Sequence, residues 1–102
     1  MPSNPLFSLS LCRKAGALVQ GFEAVKESAY DHTAQLVLCA CDVSEGTARR
    51  VRTFCERSGT PFATLALGQD DLLAVTKKRA GVFAVTNPEL AKLFSKEERP
   101  CP

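Results

Sequence analysis

The sequence predicts an α/β fold, a three-layer α/β/α sandwich built on a four-stranded mixed sheet. Short apolar strand segments alternate with helical segments, in the order α-β-α-β-α-β-α-β-α. Strands separated by helices imply a parallel or mixed sheet with helices on both faces. The segment LVLCAC at 36–41 is apolar without alternation, which is typical of a strand covered on both faces. We therefore expect it to be the central strand.

The first part of the chain carries local signals for two helices and a strand. The pair Asn4-Pro5 supplies an N-cap and a first-turn proline for a helix that ends at Gly16. Apolar residues recur at helical spacing between these points. A short strand is expected at 18–20, and Gly21 then precedes a second helix that His32 closes.

The second part of the chain repeats these signals. Asp42 and Ser44 supply capping oxygens for a third helix, which stops at Gly59. The segment 68–78 has acidic groups in its first turn and basic groups in its last, as the helix dipole favours, so we expect a fourth helix there. A second Asn-Pro pair, Asn87-Pro88, starts the fifth helix. The two remaining strands are expected at 62–67 and 82–85.

Length and composition indicate one ordinary globular domain. A chain of 102 residues that is 45% hydrophobic can bury a core without metal or disulfides, and this composition argues against disorder or a coiled coil. We expect a single domain at 1–95 and a frayed tail at 96–102. No apolar run approaches the roughly 20 residues that span a bilayer, and the first residues do not resemble a signal peptide. A cytoplasmic protein without membrane contact is therefore expected.

The charge balance alone is a weak indication of a nucleic-acid partner. Thirteen Lys and Arg against eleven Asp and Glu leave a net charge of +2, so the distribution of charge matters more than its sum. Cations follow two predicted helices: Arg13 and Lys14 after the first, and Lys77, Lys78 and Arg79 after the fourth. Such cations also stabilise a helix dipole without any partner. We expect them to converge with Lys26 into one basic patch for phosphates.

Gly21 is a second candidate element of a binding site. It precedes a helix N-terminus with free backbone N–H groups, and its missing side chain lets a ligand approach closely. Such a helix end suits a phosphate. The alternative is that Gly21 only makes a tight turn between strand and helix.

The arginines of the third helix are interpreted as a solvated face. Glu45 and Glu56 lie at helical spacing from them and can pair with them. The residues concerned are Arg49, Arg50, Arg52 and Arg57.

Neither a metal site nor a catalytic site is expected. Cys39 and Cys41, two apart on a strand, give two ligands at most and fit the core. The five cysteines of the chain are an odd number without C-x-x-C spacing, so they are expected to be reduced. A catalytic nucleophile such as Cys41 or Ser44 would need His32 and Asp42 beside it. Asp42 and Ser44 are, however, accounted for as helix caps, and His32 as a structural residue at a helix end. No cofactor is expected.

Three segments resemble one known family. They are RKAGALVQG at 13–21, LVLCACDVS at 36–44 and VFAVT at 82–86. With them the chain is similar, over most of its length, to the ribosomal protein L-seven-Ae family, in its bacterial YlxQ-like branch. The resemblance implies a small α/β/α sandwich that binds structured RNA, often kink-turns, through the N-terminal end of the second helix and nearby loops.

The resemblance also implies which residues contact RNA. The family motif after the first strand falls on GFEAVKE at 21–27, and the variable loop of the family falls on KKRAG at 77–81. The base-reading amide and the phosphate-contacting lysine of the family are replaced by Ala24 and Glu27. With the two cations that follow the first helix, the candidate RNA-binding residues are Arg13, Lys14, Gly21, Phe22, Glu23, Lys26, Lys77, Lys78, Arg79 and Ala80.

These observations predict a non-enzymatic, monomeric RNA-binding protein of the ribosomal-protein kind. Its expected partners are structured RNA, above all ribosomal RNA, and ribosomal or translation proteins; recognition of a kink-turn stays open. The alternative is a protein–protein interaction module that keeps the scaffold but has weakened or lost RNA binding. This sequence departs from the family pattern at Ala24, Glu27 and Leu73, and these departures favour the alternative.

Overall fold

The computed structural model describes residues 5–65, 67–76 and 80–94. The expected frayed tail at 96–102, the N-cap Asn4 and the end of the fourth helix at 77–78 lie outside the described residues. The helices are α1 Pro5–Lys14, α2 Phe22–Tyr30, α3 Glu45–Ser58, α4 Gln69–Thr76 and α5 Pro88–Ala91, which continues as a 3₁₀ helix over Lys92–Phe94. The strands are β1 Leu18–Gln20, β2 Leu36–Cys39, β3 Phe62–Thr64 and β4 Val82–Val85.

The four strands form one mixed sheet in the order β1-β4-β2-β3. β2 and β3 are parallel, whereas β4 runs antiparallel to both of its neighbours, β1 and β2. β1, β2 and β3 therefore point in one direction and β4 points in the other. The predicted mixed sheet is confirmed, and β2, expected to be central, is one of the two interior strands.

Helices cover both faces of the sheet, which gives the three predicted layers. Alternate residues of β2 face opposite sides, as strand geometry requires. Leu36 and Leu38 join a core with α1, α4 and Phe94 of the 3₁₀ helix, while Val37 and Cys39 join a second core with α2 and α3. The fully apolar pattern of this strand thus reflects burial on both sides.

Two strands are shorter than the sequence suggests. β2 pairs with β4 up to the register Cys39↔Val82, where β4 begins, so the ladder cannot continue. The next two residues keep backbone hydrogen bonds to loops instead, since Ala40 N–H donates to the Gly81 carbonyl at 2.8 Å and Cys41 N–H donates to the Leu67 carbonyl at 2.9 Å. These bonds tie the loops after β2, after β3 and before β4 together.

The predicted helix caps Ser44 and Asn87 are confirmed. The Ser44 hydroxyl accepts from the Thr47 N–H at 3.1 Å, and α3 ends at Gly59 in the left-handed region with φ 73°. Asn87 accepts from the N–H groups of Glu89 and Leu90 at the start of α5. No helix in the described ranges has both the length and the apolar character that a membrane crossing requires.

Candidate functional site

One edge of the sheet collects the beginnings of three helices. β1, β2 and β3 run in the same direction and are followed by α2, α3 and α4, so the first turns of these helices lie at the same edge. The segment that enters β4 lies there too, because β4 runs the opposite way. We call this edge the rim; it comprises residues 20–23, 41–47, 67–70 and 80–82.

An open hollow of about 320 Å³ lies in the rim. Its walls come from the start of α2, the loop and first turn of α3, the first residue of α4 and the segment before β4. The lining residues are Gly21, Phe22, Val43, Ser44, Thr47, Gln69, Ala80, Gly81 and Val82. The rim hollow therefore joins four segments that are far apart in sequence.

Gly21 shapes one wall of this hollow. Its φ of 97° and ψ of 147° belong to a region that only glycine adopts readily. Its N–H donates to the Val82 carbonyl at 2.9 Å, which fixes the start of α2 against β4. A Cβ on Gly21 would meet nothing within 4 Å, so the backbone here is open to a ligand.

Gly81 has a different role, because it lets two loops approach each other. A Cβ at Gly81 would overlap with the Val43 side chain and lie 3.3 Å from Cδ of Gln69. The missing side chain therefore allows the segment before β4 to pack against the loop after β2, and the hollow depends on this packing.

The three helix ends in the rim differ in how their N–H groups are satisfied. The Ser44 hydroxyl caps α3. At α4, the Gln69 N–H donates to Asp42 Oδ1 at 3.0 Å, and the Gly68 N–H donates to Asp71 Oδ2 at 3.0 Å. α2 has no side-chain cap. Of these three ends, α2 is thus the one whose first turn is open to an external anion.

The position of Asp42 corrects one prediction. The sequence assigned both Asp42 and Ser44 to the start of α3, but the Asp42 carboxylate serves α4, 27 residues further on. It does so because the loops after β2 and β3 leave the sheet at the same edge. Asp42 and Asp71 consequently add negative charge beside the rim hollow, in contrast to the basic patch expected there.

The candidate cations are not all brought together. Arg13 and Lys14 end α1, just before β1. The Ala17 carbonyl accepts from the N–H of Thr86, the residue after β4, so the end of α1 lies at the edge opposite the rim. The structure therefore does not place Arg13 and Lys14 with Gly21, and the predicted convergence fails for them.

The remaining candidates lie at or beside the rim, or outside the described residues. Phe22 and Glu23 form the first turn of α2, and Lys26 follows one turn later. Ala80 lines the rim hollow. Lys77, Lys78 and Arg79 lie outside the described residues, so their part in the basic patch stays a prediction.

The sequence interpretation missed a groove between α2 and α3. Both helices begin at the rim and pack side by side on one face of the sheet. The α2–α3 groove has a volume of about 440 Å³ and is lined by Phe22, Glu23, Lys26, Tyr30, Arg49, Arg50, Thr53, Phe54 and Arg57. The helical spacing of 22, 26 and 30 and of 49, 53 and 57 gives the available signal, but the packing of the two helices was needed to interpret it.

The arginines of α3 are not paired as the sequence suggested. Within 5–65, 67–76 and 80–94, no salt bridge joins Arg49, Arg50 or Arg57 to an acidic residue. Arg52 faces another way, with its guanidinium 5.9 Å from the centre of the Phe62 ring. Three of the four arginines thus contribute charge to the groove.

The buried cysteine thiols are unreactive near neutral pH. Burial raises the pKa of the Cys39 thiol from 9.0 to about 12; the neighbouring Cys55 raises it further by a smaller amount, and the positive charge of Arg52 partly opposes the rise. Burial also raises the pKa of Cys55 to about 11 and raises that of Cys12. Thiols with such pKa values stay protonated near neutral pH, so they are poor nucleophiles and poor metal ligands. Among the described residues, no group of three His, Cys, Asp or Glu side chains is placed to hold a metal ion.

Many solved structures share this fold, and two of them illustrate the likeness. A protein of unknown function from Bacillus halodurans superposes with a TM-score of 0.78 at 23% sequence identity, covering 89% of this chain and 96% of that one. A 15.5 kD RNA-binding protein from Giardia lamblia superposes with a TM-score of 0.75 at 17% identity, covering 91% of this chain and 83% of that one. No family model and no curated protein sequence matches the chain. The likeness therefore concerns the fold.

Proposed function

We propose that this chain is a non-enzymatic RNA-binding protein of the L-seven-Ae type and that the rim hollow is its primary RNA site. The observation that carries the proposal is the open, uncapped first turn of α2 beside Ala80 and Gly81 in one hollow. Backbone N–H groups at such a helix end favour a phosphate. The Giardia protein with the same fold binds RNA, which supports this use of the scaffold.

Several finer features belong to the same proposal. Structured RNA is the expected ligand, because the hollow offers backbone N–H groups and small side chains for shape and phosphate contacts more than for base reading. We propose ribosomal RNA as the natural partner, ribosomal or translation proteins as neighbours, a monomeric state and a cytoplasmic location. The bacterial YlxQ-like branch remains the proposed subgroup. A kink-turn stem is the most informative probe, because Ala24 and Glu27 depart from the pattern of kink-turn binders.

The proposal is tested by titrating the protein with a kink-turn stem and with ribosomal RNA fragments at several salt concentrations. Gln69→Glu places a carboxylate in the lining of the rim hollow without changing side-chain size. Gln35→Glu makes the same change on an exposed residue before β2, at the opposite edge. We expect Gln69→Glu to weaken RNA binding by roughly 5-fold, about 1 kcal/mol of repulsion, and Gln35→Glu to have little effect. Equal effects of the two changes would contradict the assignment of the site.

A protein-interaction module is the second candidate function, and the carboxylates of Asp42 and Asp71 beside the rim favour it. Negative charge at this position opposes phosphate binding. RNA binding through phosphates makes the logarithm of affinity fall with the logarithm of salt concentration. Absence of measurable RNA affinity at low salt, or affinity without a salt slope, would favour the protein-interaction function.

A further inference from the structure

Positively charged side chains are concentrated in the α2–α3 groove and do not line the rim hollow. Lys26, Arg49, Arg50 and Arg57 line it, against a single lining carboxylate, that of Glu23. Within the described ranges none of these four cations forms a salt bridge. Unpaired cations along a groove favour a polyanion.

Acidic side chains lie beside the groove on the side of α2 that faces away from α3. Glu23, Glu27 and Asp31 line a second hollow there, which contains no α3 residue and shares Glu23, Lys26 and Tyr30 with the groove. Negative charge thus flanks the groove on the side away from α3. A polyanion is consequently confined to the strip between the two helices.

The floor of the groove is aromatic. The Phe22 ring meets the buried Phe54 ring edge-on, with centroids 5.6 Å apart, and the Tyr30 ring lies 6.4 Å from Phe54. Tyr30 is 42% exposed although Phe54 is only 3% exposed. The Tyr30 ring is thus held against a fixed neighbour while part of it remains accessible. Exposed aromatic rings beside cations are the combination with which proteins bind single-stranded nucleic acid.

The groove is continuous with the rim hollow. Phe22 lines both of them, and α2 and α3 both begin at the rim. From Phe22 to Tyr30 the groove runs along two helical turns, about 12 Å at 1.5 Å per residue. A strand that leaves the hollow can therefore enter the groove without crossing another element.

We infer that the α2–α3 groove is a second RNA-contact surface, which holds a single strand continuing from the rim hollow. The arginines and Lys26 bind its phosphates, and a base stacks on Tyr30. This inference rests on the proposed RNA binding at the rim and extends it to RNA with a single-stranded segment beside the structured part.

The test compares two RNA probes and two matched double variants. The probes are a blunt kink-turn stem and the same stem with an eight-nucleotide oligouridine tail on either end. Arg49→Gln/Arg57→Gln removes two groove cations, whereas Arg52→Gln/Lys92→Gln removes two cations that lie outside the groove. Thermal unfolding followed by circular dichroism verifies that both variants are folded.

We expect a tail to tighten binding of the wild-type protein. Arg49→Gln/Arg57→Gln should lose this gain, and the slope of log affinity against log salt for the tailed probe should become shallower by about 1.4, at roughly 0.7 per phosphate contact on a single strand. Arg52→Gln/Lys92→Gln should keep the gain. Tyr30→Ala should also lose about 5-fold or more of the affinity for the tailed probe, and Tyr30→Phe should retain it, because stacking needs only the ring.

The outcomes distinguish an error in the groove assignment from an error in the rim assignment. If the blunt stem does not bind, but isolated oligouridine and the tailed stem bind and Arg49→Gln/Arg57→Gln abolishes that binding, the groove holds RNA while the proposed rim site is wrong. If the tails add no affinity, or both double variants lose it equally, the groove assignment is overturned. An oligoglutamate peptide that binds the groove and is not displaced by oligouridine would overturn it in favour of an acidic protein partner.

Discussion

Replacing Gly21 with alanine isolates backbone strain at the start of α2. With φ 97° and ψ 147°, this residue occupies a region that costs a residue with a side chain about 1–3 kcal/mol. An added Cβ meets nothing within 4 Å, so no clash adds to this cost. Alanine also lowers the conformational entropy of the unfolded chain, and this effect alone raises the free energy of unfolding by roughly 0.4–1 kcal/mol. We therefore expect Gly21→Ala to lower the free energy of unfolding by about 1–2 kcal/mol.

Urea denaturation followed by far-ultraviolet circular dichroism measures this loss. The midpoint should fall while the dependence of free energy on urea stays unchanged, because the surface exposed on unfolding is the same. Gly46→Ala is the matched control. Gly46 lies in the first turn of α3 with space around its Cβ, so alanine should stabilise by a few tenths to about 1 kcal/mol. If Gly21→Ala is as stable as the wild type, or if Gly21→Ala and Gly46→Ala shift stability in the same direction, the backbone at Gly21 is not strained for a residue with a side chain.

Two further predictions concern stability. Cys39 and Cys55 have pKa values of about 12 and about 11 in the folded protein, raised from 9.0. Their stabilising effect is therefore complete well below pH 9 and is lost as pH rises; by pH 10 the loss should reach about 1.4 kcal/mol per thiol. Cys39→Ala/Cys55→Ala should remove the contributions of these two thiols in denaturation measured at pH 8 and pH 10, while the smaller contribution of Cys12 remains. His32 has φ 62° after the end of α2, so His32→Gly should raise stability by about 0.5–1 kcal/mol. A thermal midpoint no higher than that of the wild type would contradict the second expectation.

The fold was predictable because its main signals are local. Ser44 and Asn87 act as caps within three residues of themselves, so the sequence alone identifies them. The unbroken apolar pattern of 36–39 likewise follows from burial on both faces of the sheet. The point at which β2 ends depends on where its partner β4 begins, and no local sequence signal gives that position.

The site was predicted in part, because its position depends on strand direction. Gly21 and Ala80, both candidate RNA-binding residues, line the same rim hollow, and their contact with RNA stays a prediction. Arg13 was assigned to the same place, but it precedes β1 and so lies at the other edge. Asp42 acts on a helix 27 residues away, and Arg49 lines a groove only because α3 packs beside α2. Such relationships arise from packing and cannot be read from spacing alone.

Backbone amide chemical shifts recorded during titration with a kink-turn stem report where RNA contacts the protein. If the rim is the RNA site, the largest shifts fall on Gly21, Phe22, Thr47 and Gly81, and the amide of Thr86 at the opposite edge stays unchanged. Shifts concentrated around Thr86 and the end of α1, with the rim amides unmoved, would contradict this assignment of the RNA site.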